Sequence, residues 1–318
     1  MTVPMRAAVY RPLRRSDGRA ARGPDEDAFT LAAAAIEAVV ADSSPADGWE
    51  IVASGAAVQV PDTLFAGLLG TTVRVRRAPD TPPEPSGPTT LFVAVDLAET
   101  NGVAEDRAVV ARGDAIVAGA GGNGPTGDAD RLIAAVSGVS PAEVAVLGGV
   151  ATRADSERAG SPPAGTGTDD RSRVSEGALL PRARYLEGIP SHWRFEGERC
   201  EACGRVGFPI RGRCRNCGRA DRLVRERLPR AQLPVLAVTR IGPGAQPTEF
   251  DTQVERSGGY PVVLVELGPN ARATLQGTDG DRGTFAIGDR VNTALRRTYA
   301  MEGEWRYARK AVATNPRT

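Results

Sequence analysis

The chain is 318 residues long, which points to about two domains. Its 41% hydrophobic and 25% charged content is that of an ordinary folded chain rather than a disordered one. The formal net charge of +1 gives no global field that would draw it to nucleic acid or an anionic membrane. There is one histidine, His192, one lysine, Lys310, and four cysteines, Cys200, Cys203, Cys214 and Cys217. These counts exclude a metal site built from several histidines, and a histidine–cysteine mechanism using a cysteine outside that group. They also exclude a P-loop lysine near a glycine loop.

Met1 to Leu13 has no apolar core of signal-peptide length, and no apolar run reaches about 18 residues. No membrane span is expected, and a reducing cytoplasm suits cysteines confined to one short stretch better than a secreted disulfide framework does.

The first 155 residues alternate between strand-like and helix-like patterns and read as an α/β layer. Pro24-Asp25-Glu26-Asp27 is an acidic start signal for a helix over Ala28 to Val40, where negative charge suits the positive end of the helix dipole. Trp49 to Ser54 reads as a strand, Leu64 to Leu69 as a helix stopped by Gly70, and Thr71 to Arg76 as another strand. A proline-rich interruption follows from Pro79 to Pro88. Leu91 to Leu97 is a buried-strand pattern, and Asp106 to Val110 with Asp114 to Ala118 reads as two short strands joined at Arg112-Gly113. A glycine loop spans Gly119 to Gly127, a short helix Asp130 to Val136, and a last strand Glu143 to Leu147. Gly119, Gly121 and Gly124 satisfy G-x-G-x-x-G, but Pro125-Thr126-Gly127 separates them from the helix, so an ordinary glycine connection is the preferred reading.

Arg153 to Val174 is rich in Ser, Pro, Gly, Asp and Thr and reads as a linker, placed at 156–180. A helix and a cysteine ribbon follow over 181–221. Over 222–318, five β-type runs start near Leu233, Tyr260, Arg272, Arg290 and Glu304, separated by turn residues, and suggest a small all-β barrel.

Cys200-x-x-Cys203 and Cys214-x-x-Cys217, each followed by a glycine, have the spacing of a structural zinc site. Four thiolates close the coordination sphere and leave no open position for catalytic water. Two disulfides or a redox pair are the alternatives. His192 reads as a helix-surface residue rather than a ligand. Ten arginines between Arg199 and Arg230 outnumber the acids around them, which suggests either a solvated face or a docking surface for something acidic.

Residues 181–318 resemble the acyl-CoA-associated family in which a rubredoxin-like zinc ribbon precedes an OB-fold. The resemblance rests on Arg184-Tyr185-Leu186-Glu187-Gly188, Cys200-Glu201-Ala202-Cys203-Gly204, Phe208-Pro209 and Cys214-Arg215-Asn216-Cys217-Gly218. Tyr260 to Leu267 and Ile287-Gly288-Asp289-Arg290-Val291 match the barrel. Residues 1–155 more faintly resemble the N-terminal half of thiolase-superfamily enzymes, particularly hydroxymethylglutaryl-CoA synthase. The matches there are Gly23 to Thr30, Val93 to Asp96 and Gly113 to Gly119. Where that family carries its nucleophile helix, this chain has only the proline-rich stretch and no cysteine.

The fold class implied is therefore an α/β degenerate thiolase-like domain followed by a rubredoxin-like zinc ribbon and an all-β OB-fold barrel. The resemblance implies no catalytic residue. It implies a non-catalytic accessory subunit, with structural Zn2+, that bridges a thiolase-like or ketosynthase-like catalytic subunit and assists acyl-CoA chemistry, with a CoA thioester as a ligand of the complex. Arg205, Phe208, Arg211 and Arg213 are the candidate contacts for partner or acyl-CoA. The loop Gly242 to Gly259 is a further candidate contact, as long loops inside small barrels are usually functional. A single-stranded nucleic-acid-binding module is the alternative, disfavoured by few aromatics on the barrel strands. A self-sufficient acyltransferase would need a nucleophile other than cysteine.

Overall fold

The computed structural model describes residues 7–11, 23, 25–40, 45, 47–77, 89–98, 106–113, 132, 144–147, 182–244, 254, 259–278, 285–301 and 304–314. The chain divides into two compact units, Met1–Ala154 and Asp155–Thr318.

The first unit is a mixed α/β layer. Strands β1 (Ala7–Tyr10), β2 (Trp49–Gly55), β3 (Val73–Arg77), β4 (Thr90–Asp96), β5 (Arg107–Arg112) and β6 (Val144–Leu147) form one sheet in the order β3-β2-β4-β5-β1-β6. β5 is antiparallel to both of its neighbours, whereas β2 runs parallel to β3 and β4, and β1 parallel to β6. The parallel pair β2 and β3 needs a crossover, which α2 (Asp62–Leu69) supplies; Gly70, in the left-handed region at φ 71°, ends it.

Helix α1 (Ala28–Val40) is apolar nearly all round, so it is buried, lying against β1, β4 and β5. Asp27 and Thr30 cap it reciprocally: the Thr30 backbone N–H donates to Asp27 Oδ1 at 2.9 Å, and the Asp27 N–H to Thr30 Oγ1 at 2.8 Å. Glu26 does something else. It is buried, accepting from the Tyr10 hydroxyl at 2.9 Å and from the Gly23 N–H at 2.5 Å, and so ties the approach to α1 back to β1.

The sequence expectations for this unit differ at β1 and at β5. β1 was not foreseen. β5 runs on to Arg112, past Val110, because β4 pairs with it from Arg107 to Arg112 and β1 from Ala108 to Ala111. Residues 114–118, like Pro79 to Pro88, Gly119 to Gly127, most of Asp130 to Val136 and the linker, lie outside the described residues.

In the second unit, helix α3 (Arg182–Arg194) leads into a three-stranded ribbon sheet ordered β8-β7-β9, from β7 (Glu196–Cys200), β8 (Val206–Gly207) and β9 (Leu223–Arg227). β9 pairs with β7 from Leu223 to Arg227, so the ribbon sheet reaches beyond residue 221, the expected boundary. The C-terminal sheet is ordered β12-β11-β10-β13-β14, from β10 (Leu233–Ile241), β11 (Tyr260–Gly268), β12 (Ala271–Gln276), β13 (Arg290–Met301) and β14 (Glu304–Ala313). A parallel bridge from Gly277 to Ala311 joins the two ends of that order. Ribbon and C-terminal sheet share one core: Phe195, Val206 and Leu228 are buried with Leu233, Val235, Val263, Val265 and Val291.

Candidate functional site

The cysteines sit in two turns with the same hydrogen-bond pattern. In the first, the Cys200 N–H donates to the Arg205 carbonyl at 2.9 Å and the Gly204 N–H to the Cys200 carbonyl at 2.7 Å. In the second, the Cys214 N–H donates to the Arg219 carbonyl at 2.8 Å and the Gly218 N–H to the Cys214 carbonyl at 3.0 Å. Gly204 and Gly218 adopt φ of 72° and 75°, a conformation that costs a side-chain-bearing residue energy. The sequence places those glycines where the backbone turns left-handed.

The turns bring four Sγ atoms within 4.8 Å of one another, with Cys200–Cys217 and Cys203–Cys214 each at 3.6 Å. A tetrahedron of sulfurs about 2.3 Å from a zinc ion has edges of about 3.8 Å. The sulfurs therefore fit a metal ion. At 3.6 Å they are far outside disulfide bonding distance, and all four cysteines are free.

Their acidities differ. The backbone N–H groups of Cys217 and then Asn216 stabilise the Cys214 thiolate and bring its pKa down to about 6. At Cys217 the Arg219 N–H acts in the same direction, but the neighbouring Cys200 sulfur, burial and the other two sulfurs outweigh it and push the thiol up to about 11. Four thiolates so close repel one another unless a cation neutralises them, which is the electrostatic form of the same fit. His192 is exposed on α3 and is not among the ligand groups.

The second turn is held against the sheet. Glu198 on β7 accepts from the N–H groups of Arg211 at 2.9 Å and Gly212 at 3.0 Å. Ser191 on α3 accepts from the Ile210 N–H at 3.0 Å. Glu226 pairs with Arg199, and Asp221 with Arg219 at 3.4 Å. Among the described residues no carboxylate pairs with Arg205, Arg211, Arg213 or Arg215, all exposed. The structure places Arg205, Phe208, Arg211 and Arg213 together around one small pocket, beside Cys200 and Cys214. Phe208 is half-buried and packs edge-on to Phe195 at 5.5 Å between centroids.

A second, larger cavity of about 460 Å³ escaped the sequence reading. It lies among α3, the Phe208-Pro209 segment and strands β12, β13 and β14. Trp193, fully buried, anchors α3 there by donating its indole N–H to the Tyr307 carbonyl at 2.8 Å. The Tyr307 N–H donates to the Tyr185 hydroxyl at 2.8 Å, and burial pushes the Tyr185 pKa up to about 12. Arg309 donates to the Trp193 carbonyl at 2.5 Å. The cavity is lined by His192 and by Lys310, the one lysine, which is buried. Tyr185 and Phe208-Pro209 are the residues of the sequence motifs that fall on its lining.

Two CxxC turns on a three-stranded sheet that shares its core with a β domain define a four-cysteine metal-ribbon protein. Residues 192–223 match the family model described as ChsH2, rubredoxin-like zinc ribbon domain. A DUF35 domain-containing scaffold protein of Methanothermobacter thermautotrophicus is 31% identical over 126 residues, covering 40% of this chain and 89% of the relative. This chain belongs to that DUF35 domain-containing family. A solved chain of an Ltp2-ChsH2(DUF35) aldolase is 19% identical, with a TM-score of 0.31 over 42% of this chain and 98% of that one. No helix among the described residues is long and apolar enough to cross a membrane.

Proposed function

We propose that this protein is a non-catalytic accessory subunit of a thiolase-like or ketosynthase-like enzyme, holding structural zinc and assisting acyl-CoA C–C bond formation or cleavage in the cytoplasm. The observation that carries the reading is the four-thiolate cluster in a chain whose curated relative is described as a scaffold protein. That cluster uses every cysteine of the chain, so no thiol is left as an acyl acceptor.

The architecture supports the same reading. In the C-terminal sheet the order β12-β11-β10-β13-β14, with its parallel bridge from Gly277 to Ala311, is what an OB-type five-stranded Greek-key barrel requires. The mixed α/β unit supports a degenerate thiolase-like domain able to dock on a true thiolase fold. Arg205, Phe208, Arg211 and Arg213 are the contacts we assign to the partner or its acyl-CoA; the loop Gly242 to Gly259, a further candidate from the sequence, lies outside the described residues over 245–253 and 255–258.

The nucleic-acid alternative loses ground on burial. Tyr260 and Tyr307 are buried and the Arg297 guanidinium lies over one face of the Trp305 ring at 4.4 Å, which leaves the half-buried Tyr299 and the other face of Trp305 as the stacking surface of these strands, little for a strand-binding barrel. The test is reconstitution with a thiolase-like enzyme from the same genome that carries its own nucleophilic cysteine. The expected result is that turnover rises when the zinc-loaded chain is added, while the chain alone turns over no acyl-CoA. Full activity of the enzyme alone, unchanged by the chain, overturns the proposal.

A further inference from the structure

The four cysteines are not equivalent toward solvent. Cys203 and Cys217 are exposed, whereas Cys200 and Cys214 are buried. Two sulfur pairs stand at 3.6 Å, Cys203–Cys214 and Cys200–Cys217, and each joins an exposed cysteine of one turn to a buried cysteine of the other. An accessible thiolate with a second cysteine beside it is the arrangement that oxidises reversibly. Nearby positive charge adds to this, because it favours the thiolate and the hydroxide that departs when a thiolate attacks a peroxide. Arg205 follows the first turn and Arg215 lies within the second; both are exposed, and no carboxylate pairs with them among the described residues.

The turns do not depend on a metal ion alone. Glu198 accepts from the Arg211 and Gly212 N–H groups, and Ser191 from the Ile210 N–H. β7 pairs with β8 and β9, and Phe195, Val206 and Leu228 hold the ribbon in the shared core. A disulfide is about 2.05 Å long, so closing either 3.6 Å pair takes an approach of about 1.5 Å. Two cross-turn bonds would tie the turns together as the ion does. Bonds within the turns, Cys200–Cys203 and Cys214–Cys217, would leave them untied.

We infer that Cys203 and Cys217 are sites of reversible oxidation by a peroxide, which converts the metal-holding ribbon into a metal-free ribbon with disulfides Cys203–Cys214 and Cys200–Cys217. This goes beyond the accessory-subunit reading and rests only on the four-thiolate metal site. The Cys203 thiolate attacks one peroxide oxygen: an S–O bond forms, the O–O bond breaks, and the departing hydroxide takes up a proton to become water. The Cys214 thiolate then attacks the sulfur of that sulfenic acid: the S–S bond forms, the S–O bond breaks, and a second hydroxide leaves as water. The pair gives two electrons to one peroxide. Cys217 and Cys200 do the same with a second peroxide, and the chain, left without thiolates, releases Zn2+.

The experiment treats the full zinc-loaded chain with hydrogen peroxide in about ten-fold excess and follows released zinc with a colorimetric chelator. Free thiols are then blocked, the chain is cleaved after arginine and glutamate, and the bonds are mapped by mass spectrometry. Those cuts separate Cys200-Glu201, Ala202-Cys203-Gly204-Arg205, Cys214-Arg215 and Asn216-Cys217-Gly218-Arg219, so every pairing has its own mass. The expected result is release of the bound zinc, loss of all four free thiols, and Cys203 joined to Cys214 with Cys200 joined to Cys217. Dithiothreitol with added zinc should restore the original content. Arg205→Gln/Arg215→Gln keeps every sulfur and should release zinc about two- to five-fold more slowly at low ionic strength, the scale of an exposed charge interaction.

Zinc retained with four free thiols overturns the inference. So do bonds confined within the turns, sulfinic or sulfonic acids that no thiol reverses, or a double arginine variant that releases zinc as fast as the wild type. A chain that oxidises as described but never associates with a thiolase-like enzyme leaves this site standing and removes the accessory-subunit reading. Association of a chain that is inert to peroxide does the reverse.

Discussion

Trp193 fastens α3 to β14, and truncating it should destabilise the second unit more than any single surface change. The indole is fully buried, lies edge-on between Tyr185 at 6.2 Å and Tyr307 at 6.0 Å, and donates to the Tyr307 carbonyl at 2.8 Å. A buried aromatic side chain removes about 150–250 Å² from water. At about 25 cal/mol per Å², Trp193→Ala should cost about 4–6 kcal/mol. Trp193→Phe keeps most of the apolar contact and loses the indole donor. The Tyr307 carbonyl still accepts from the Tyr185 hydroxyl at 3.3 Å, so the loss should stay near 1 kcal/mol, at the low end for a buried hydrogen bond. For a unit of this size each kcal/mol lowers Tm by roughly 2–4 °C, so the alanine variant should drop by about 10 °C or more and the phenylalanine variant by only a few degrees. Differential scanning calorimetry reads this, with the transition of Met1–Ala154 as an unmoved internal reference. A Trp193→Ala shift within about 2 °C, or a phenylalanine variant as damaged as the alanine one, would refute the assignment of Trp193 as the anchor.

Other outcomes follow from the same geometry. Tyr185 has its pKa pushed up by burial from 10.0 to about 12, so the neutral phenol favours the folded state. That contribution is complete below the unfolded pKa and lost as pH rises through about 10 to 12. Stability should fall by about 3 kcal/mol over that window, and Tyr185→Phe should flatten the slope. Cys214→Ser removes one of the four sulfurs, and metal analysis should show one zinc per wild-type chain and well under one in the variant; equal contents would contradict the four-thiolate site. Gly48 has φ 81°, and a Cβ there would stand 2.2 Å from the Thr72 carbonyl oxygen. Gly48→Ala should therefore cost about 2–4 kcal/mol in denaturant unfolding of the first unit.

What the sequence disclosed and what it hid have physical reasons. The cysteine turns were legible because metal ligands at fixed spacing and left-handed glycines are local features. Helix α1 was legible because thirteen residues of helix formers follow a capping aspartate. β1 was not, since four uniformly buried residues carry no alternation. Strands β7 and β9 were missed because Glu196-Gly197-Glu198-Arg199-Cys200 and Leu223-Val224-Arg225-Glu226-Arg227 have no hydrophobic period. Backbone pairing and the Arg199–Glu226 contact set their register instead. On β14 the sequence reads as charged and exposed, yet Arg306, Arg309 and Lys310 are buried. Arg306 lies over the Tyr185 ring at 4.8 Å and Arg309 reaches the Trp193 carbonyl. Those partners stand more than 110 residues away in the chain, beyond the reach of any local pattern. The larger cavity is a product of that distant packing, so the reading that found the ribbon could not have found it.

The central claim is that this chain works by joining another enzyme. Its most direct measurement is affinity purification of the tagged full chain from its own host, with mass-spectrometric identification and sedimentation analysis of what co-purifies. The account predicts a defined complex with a thiolase-like protein that carries its own nucleophilic cysteine, retained by the wild-type chain with its zinc in place. A chain that sediments alone at every concentration tested, while the host's thiolase-like enzymes run without it, would contradict the account.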